Sequence, residues 1–129
     1  MAVQLLNVPG LSRPPGYSHL GIGSGGRVVF TAGQVPLDAQ GDLVGRGDHV
    51  TQVEQVLRNL LATLEVAGAT PSDVVKTTVY VVGGYEAQLT VWEVVRSSPV
   101  GRAPSTLLGV ELLGYRDQLV EIEAVAVLE

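Results

Sequence analysis

Glu121 lies between Val120 and Ile122 in VEIEAVAV, a run that is otherwise almost wholly apolar. A carboxylate in such a strand loses part of its hydration, which favours its neutral form unless a cation or donor pairs with it; a group so placed suits proton transfer near neutrality. The same setting also suits a cross-strand ion pair, and Lys76, itself mid-strand among valines, is the candidate partner. A second concentration of chemistry is GRAPST, residues 101–106. Ser105 and Thr106 offer hydroxyls and backbone donors at the mouth of a cleft, or they begin a strand and cap a turn. Arg102 is either aimed at a ligand or a solvated loop residue. Pro104 has no donors, fixes its own φ and extends Ala103, so Arg102 would have to curl back past it. In Ala32-Gly33-Gln34 the glycine either admits close approach to the backbone or forms a bulge ahead of Pro36.

Other chemistries are excluded. With no cysteine in the chain, disulfides, thiolate metal sites and a cysteine nucleophile are impossible. His19 and His49 stand alone, with no ligand at metal-binding spacing, so no metal is expected. The net charge is -5 and the eight basic residues are scattered, the wrong field for a phosphate backbone, so nucleic acid is not an expected partner. No apolar run is long enough to span a membrane, and the first ten residues lack the form of a secretory signal; a cytoplasmic protein is expected, with no membrane partner.

The elements that must position these residues read as one domain over residues 1–129, since 46% apolar residues suffice for one core. His19 to Ser24, Gly25-Gly26 and the run from Arg27 to Ala32 read as a hairpin closed by a glycine turn. Gly21 and Gly23 share a face that another backbone or a ligand could approach. Residues 48–67 carry Val50, Val53, Leu57, Leu60, Leu61 and Leu64 at helical spacing, with Asp48 as N-cap and Gly68 beyond the end. A capped turn at residues 70–73 leads to a β-branched strand over 74–82, which completes a βαβ crossover with parallel strands. Tyr85, Leu89, Trp92 and Val95 mark a second helix with one apolar stripe, and His49 falls in an exposed first turn. Residues 105–110 and 119–128 read as the last strands.

The order β-β-α-β-α-β-β predicts an α+β fold, a mixed sheet with two helices on one face. Val125 and Val127 are apolar on the other face, which is expected to be buried against further subunits unless the two are ordinary exposed β-branched residues.

The segments GYSH (16–19), FTAGQVPLD (30–38), GATPSDVVKTTVY (68–80) and VEIEAVAV (120–127) together resemble the RidA/YjgF family, also labelled endoribonuclease L-PSP, throughout the chain. That resemblance implies a chorismate-mutase-like fold, a homotrimer built around a barrel of sheets, and a small-molecule cleft at each subunit boundary. It implies hydrolysis of enamine and imine intermediates to keto compounds and ammonia without a cofactor. On this likeness Glu121 positions the attacking water, Tyr17 packs its ring on the ligand unless it only anchors a loop, and Ala32, Gly33 and Gln34 present backbone N–H groups. Ser105 and Thr106 line the cleft.

The family holds a substrate carboxylate with arginine in an Ala-Arg-Ser pattern, which here reads Ala103-Pro104-Ser105. Proline cannot imitate that two-pronged contact, so the usual 2-aminoacrylate is not the expected substrate, and Arg102 is not expected to replace the anchor. Deaminase-like chemistry stands first, a trimeric small-molecule binding protein second, and ribonuclease activity a distant third.

Overall fold

Nine strand residues, Val74–Val82, form the centre of the molecule, described over residues 2–129 in a computed structural model. The strands are β1 (Val3–Leu6), β2 (Leu20–Gly23), β3 (Arg27–Phe30), β4 (Val74–Val82), β5 (Ser105–Val110) and β6 (Val120–Leu128), and the helices are α1 (His49–Val66) and α2 (Tyr85–Arg96). The main sheet has the order β3-β6-β4-β5, with β6 antiparallel to both β3 and β4, and β4 parallel to β5. β3 and β4 therefore run in the same direction, as a βαβ crossover requires, with β6 inserted between them.

α1 starts where Asp48 accepts hydrogen bonds from Thr51 N (3.2 Å) and Thr51 Oγ1 (2.7 Å). It ends at Ala67, followed by Gly68 with φ +79°, a value that glycine adopts without cost. Val53, Val56, Leu60 and Leu64 on its inner face are buried against Val79, Val81, Val120 and Ile122 of the sheet. Each is worth about 1.5–3 kcal/mol relative to exposure. Val50, although in phase with the apolar stripe, is 39% exposed at the first turn.

Three expectations are corrected. β2 and β3 do not form a hairpin: β2 pairs with β1, which the sequence reading missed, while β3 pairs with β6. Gly25 serves close approach rather than a hairpin turn, because a β-carbon there would run into the Leu128 carbonyl. Val127 is covered by its own chain, since β1 and β2 lie across the face of the sheet opposite the helices. A β-carbon at Gly23 would sit 2.7 Å from Val127 Cγ2, and one at Gly21 2.9 Å from Val75 Cγ2, so the bare glycine face admits these side chains. Val28, Phe30 and Leu108 remain exposed on that side. In α2 Val91 and Val95 are buried and Trp92 packs partly buried on the core, so of the expected stripe only Tyr85, 90% exposed, and Leu89, 61% exposed, turn outward.

Candidate functional site

Glu121 is placed by β6, opposite Tyr80, on the sheet face away from the helices. Its neighbours Val120 and Ile122 point the other way into the core, as strand alternation demands. Gln118, itself buried, donates to Glu121 Oε1 at 3.0 Å and to the Val120 carbonyl at 3.0 Å. Gly33 passes directly over the carboxylate: a β-carbon there would collide with Oε2 and lie 2.6 Å from Cδ. Gln34 fixes this approach by a two-way backbone pair with Ile122, its N–H donating at 2.7 Å and its carbonyl accepting at 3.1 Å. The Gln34 side chain is engaged inward, accepting from Thr63 Oγ1 and donating to the Ala32 carbonyl, both at 3.1 Å. Ala32 is exposed.

Lys76 is not the partner of Glu121. A bulge sets both Val75 and Lys76 against Val125 of β6, and Lys76 Nζ donates instead to Thr106 Oγ1 at 2.7 Å. Glu123, opposite Thr78, accepts from the Tyr80 hydroxyl at 3.1 Å. Burial first, then this hydrogen bond and the charges of Glu123 and Glu121, raise the Tyr80 phenol above its usual 10.0. Thr106, Thr78 and Glu123 form one row across the sheet and Leu108, Tyr80 and Glu121 the next. Strand spacings place the Cα atoms of Thr106 and Glu121 about 12 Å apart.

Ser105 faces the helices and accepts from Thr77 Oγ1 at 2.8 Å. With Leu107 it forms the floor of a cleft of about 510 Å³ whose walls are Tyr17, Tyr85, Leu89 and Trp92. Tyr17 meets Trp92 edge to face, ring centroids 5.9 Å apart, and the indole N–H donates to the Pro15 carbonyl at 2.9 Å. Arg102 is exposed in a different groove, beside Val3, Leu5 and Ser72, while its carbonyl accepts from Ser18 Oγ at 2.7 Å.

The sequence candidates thus fall into separate places. Glu121 and Gly33 meet; Tyr17 and Ser105 meet in the cleft; Thr106 joins Lys76; Arg102 joins none of them. Missed at the level of sequence were the Gln118 donor, the Lys76–Thr106 pair and the outward turn of Tyr85 and Leu89 in α2. For α2 a signal existed, because the small aliphatic residues Ala87 and Val91 join Val95 in a row four residues apart. Both histidines are engaged: His49 Nε2 lies 2.7 Å from the Val82 carbonyl, so that ring is partly buried rather than exposed. His19 Nδ1 accepts from Val8 N at 2.9 Å. Among the described residues no group of acidic and histidine side chains could hold a metal, and no helix is long and apolar enough to cross a membrane.

Two helices on one face of a mixed sheet form a small α+β domain, the architecture of YjgF/Rid structures. Residues 11–128 match the family described as Endoribonuclease L-PSP, and the chain belongs to this RidA/YjgF family. The chain is 35% identical over 104 residues to a RutC family protein of Pyrococcus abyssi, covering 78% of this chain and 79% of that one. It is 34% identical over 101 residues to a mouse protein named 2-iminobutanoate/2-iminopropanoate deaminase, covering 78% and 74%. Among solved structures, the Rid family protein YyfB of Yersinia pestis, described as of unknown function, superposes with a TM-score of 0.92 at 37% identity, covering 99% of this chain and 100% of that one.

Proposed function

We propose that the protein hydrolyses small imines or enamines to keto compounds and ammonia, with Glu121 as the group that activates water. The observation that carries this reading is the Glu121 carboxylate, held on one oxygen by Gln118 and set against the bare backbone of Gly33. Deaminase relatives support it. A water hydrogen-bonded to the carboxylate adds its oxygen to the imine carbon while its proton passes to Glu121. The carbinolamine formed from the protonated imine takes that proton on nitrogen; its hydroxyl then gives a proton back to the Glu121 carboxylate as the C–N bond breaks, and ammonia leaves behind a carbonyl. Oxidation state is unchanged, so the step calls for no redox partner.

The cleft of Tyr17 and Ser105 and the sheet face of Glu121 and Thr106 do not converge within one chain. Ser105 and Thr106 are successive strand residues on opposite faces of the sheet, so a small substrate cannot touch both the cleft and Glu121 within one chain. The working site is therefore completed by further subunits of a homotrimer, which also cover Val28 and the 75% exposed Phe30. The protein acts in the cytoplasm. A second reading, a trimeric binding protein without turnover, is favoured by Pro104, which supplies no donor beside Ser105. The low count and scatter of basic residues speak against RNA cleavage.

The test compares wild type with Glu121→Gln for ammonia release from 2-iminobutanoate generated in the assay by an amino-acid oxidase. Release above the spontaneous rate by wild type only, with both proteins equally folded and of trimer mass by light scattering, is the expected result. Equal rates in both proteins sink the catalytic assignment, and binding without turnover leaves the second reading. A monomeric mass for wild type defeats the assembly.

A further inference from the structure

The sheet face that carries Glu121 and Glu123 carries its compensating cation at a different point. At Val74, β4 faces the helices, and in an unbroken strand Lys76 would share that orientation and enter the core. The bulge at Val75 reverses the alternation, so that Lys76 emerges on the open face. There it is directly beside Pro104, because Thr77 pairs with Ser105 and its N–H donates to the Pro104 carbonyl at 2.9 Å. Pro104 contributes no N–H and no side-chain donor on that side.

Both carboxylates of the face are turned elsewhere, Glu121 to Gln118 and Glu123 to Tyr80. Among the described residues no carboxylate lies within 4.0 Å of Lys76 Nζ, whose one side-chain partner is Thr106 Oγ1 at 2.7 Å. That hydroxyl accepts from the ammonium, so its own proton is free to be donated. The ammonium keeps two further N–H groups. Lys76 and Thr106 thus present convergent donors and a positive charge at the surface, on a face otherwise negative.

The geometry points to Lys76, with the Thr106 hydroxyl, as the anchor for the carboxylate of a small 2-keto or 2-imino acid. This inference rests on the proposed hydrolysis for the identity of the acid, while the anchor itself is measured by binding alone. A lysine is a point charge rather than a planar fork, so it fixes the position of the carboxylate without fixing its plane. The site therefore tolerates differently shaped small monocarboxylates and rejects their neutral amides.

The experiment titrates 2-oxobutanoate and, as the neutral probe, 2-oxobutanamide into wild type, Lys76→Met, Lys76→Arg and Thr106→Val, followed by NMR shifts and calorimetry. Loss of a charge-assisted contact predicts that Lys76→Met weakens binding of the acid about 10- to 100-fold. Lys76→Arg stays within several-fold of wild type, Thr106→Val weakens it about 3- to 10-fold, and raised salt weakens wild type alone or with Lys76→Arg. Undiminished binding to folded Lys76→Met overturns the assignment. So does equal affinity of wild type for acid and amide, or no binding of the acid to wild type at millimolar concentration. Should Lys76→Met not fold, unchanged affinity in Thr106→Val together with an absent salt effect overturns it as well. Lys76-dependent binding by a protein that releases no ammonia refutes the hydrolysis and leaves the anchor standing; ammonia release that is indifferent to Lys76→Met refutes the anchor and leaves the hydrolysis.

Discussion

Replacing Gly33 by alanine tests the contact on which the reading of Glu121 depends. Gly33 is not in the left-handed region, so its backbone accepts alanine and any cost comes from what the new methyl meets. That methyl would fall on the Glu121 carboxylate, 2.6 Å from Cδ and 2.9 Å from Cγ, and the side chain must swing away. Doing so breaks the 3.0 Å hydrogen bond from Gln118, whose amide is buried and whose other bonds, to Val120 O and from Tyr115 N, hold it in place. A hydrogen bond to a charged group contributes about 1.5–3 kcal/mol. Stiffening the unfolded chain by Gly→Ala returns about 0.4–1 kcal/mol, for a net loss of about 1–2 kcal/mol. Urea denaturation of Gly33→Ala, Glu121→Ala and the double variant closes a cycle. In the Glu121→Ala background the methyl meets no carboxylate, so Gly33→Ala becomes neutral or slightly stabilising there. Turnover of the generated imine falls in Gly33→Ala to the level of Glu121→Gln. An equal cost of Gly33→Ala in both backgrounds, or full turnover in the single variant, refutes the reasoning.

Gln52 is fully buried, donating to the carbonyls of Gly45 (3.1 Å) and Asp117 (3.0 Å) and accepting from Leu119 N (2.7 Å). Gln52→Leu keeps the volume but strands three backbone groups, and costs about 2–5 kcal/mol in urea denaturation; a loss below 1 kcal/mol contradicts this. Tyr80, raised above 10.0 by burial and its glutamate neighbours, contributes a component to an alkaline absorbance titration that ionises above 10.0 and is absent from Tyr80→Phe. Because the folded state holds that proton more tightly, the associated stability is complete below the unfolded pKa of about 10 and is lost as pH rises beyond it. Tyr80→Phe removes that decline, and a Tyr80→Phe titration curve that loses no component above 10.0 refutes it.

Local signals determined much of this protein in advance. α1 is legible from Asp48, the apolar spacing and Gly68 because a helix is stabilised by partners three and four residues away. β4 matches its expected residues because a β-branched run between a proline turn and Gly83-Gly84 has no competing structure. The parallel strands flanking α1 and the two helices on one face follow from element order. Glu121 in an apolar strand marks the candidate site without any fold.

The tertiary structure decided what depends on partners distant in sequence. Gly25-Gly26 looks like a hairpin turn, yet β3 finds β6 across nearly the whole chain, and β2 closes on β1, four residues with no signal of their own. Val95 of α2 packs inward as its place in the apolar stripe implies, but only the sheet beneath selects Val91 as its core neighbour and leaves Tyr85 and Leu89 outside. Lys76 shows the limit most clearly. Its side is fixed by a one-residue bulge against Val125, and a shift of one residue in a strand moves a side chain to the opposite face. No pattern in VVKTTVYVV reports that bulge, so the move of Lys76 from Glu121 to Thr106 is settled by strand pairing and not by composition.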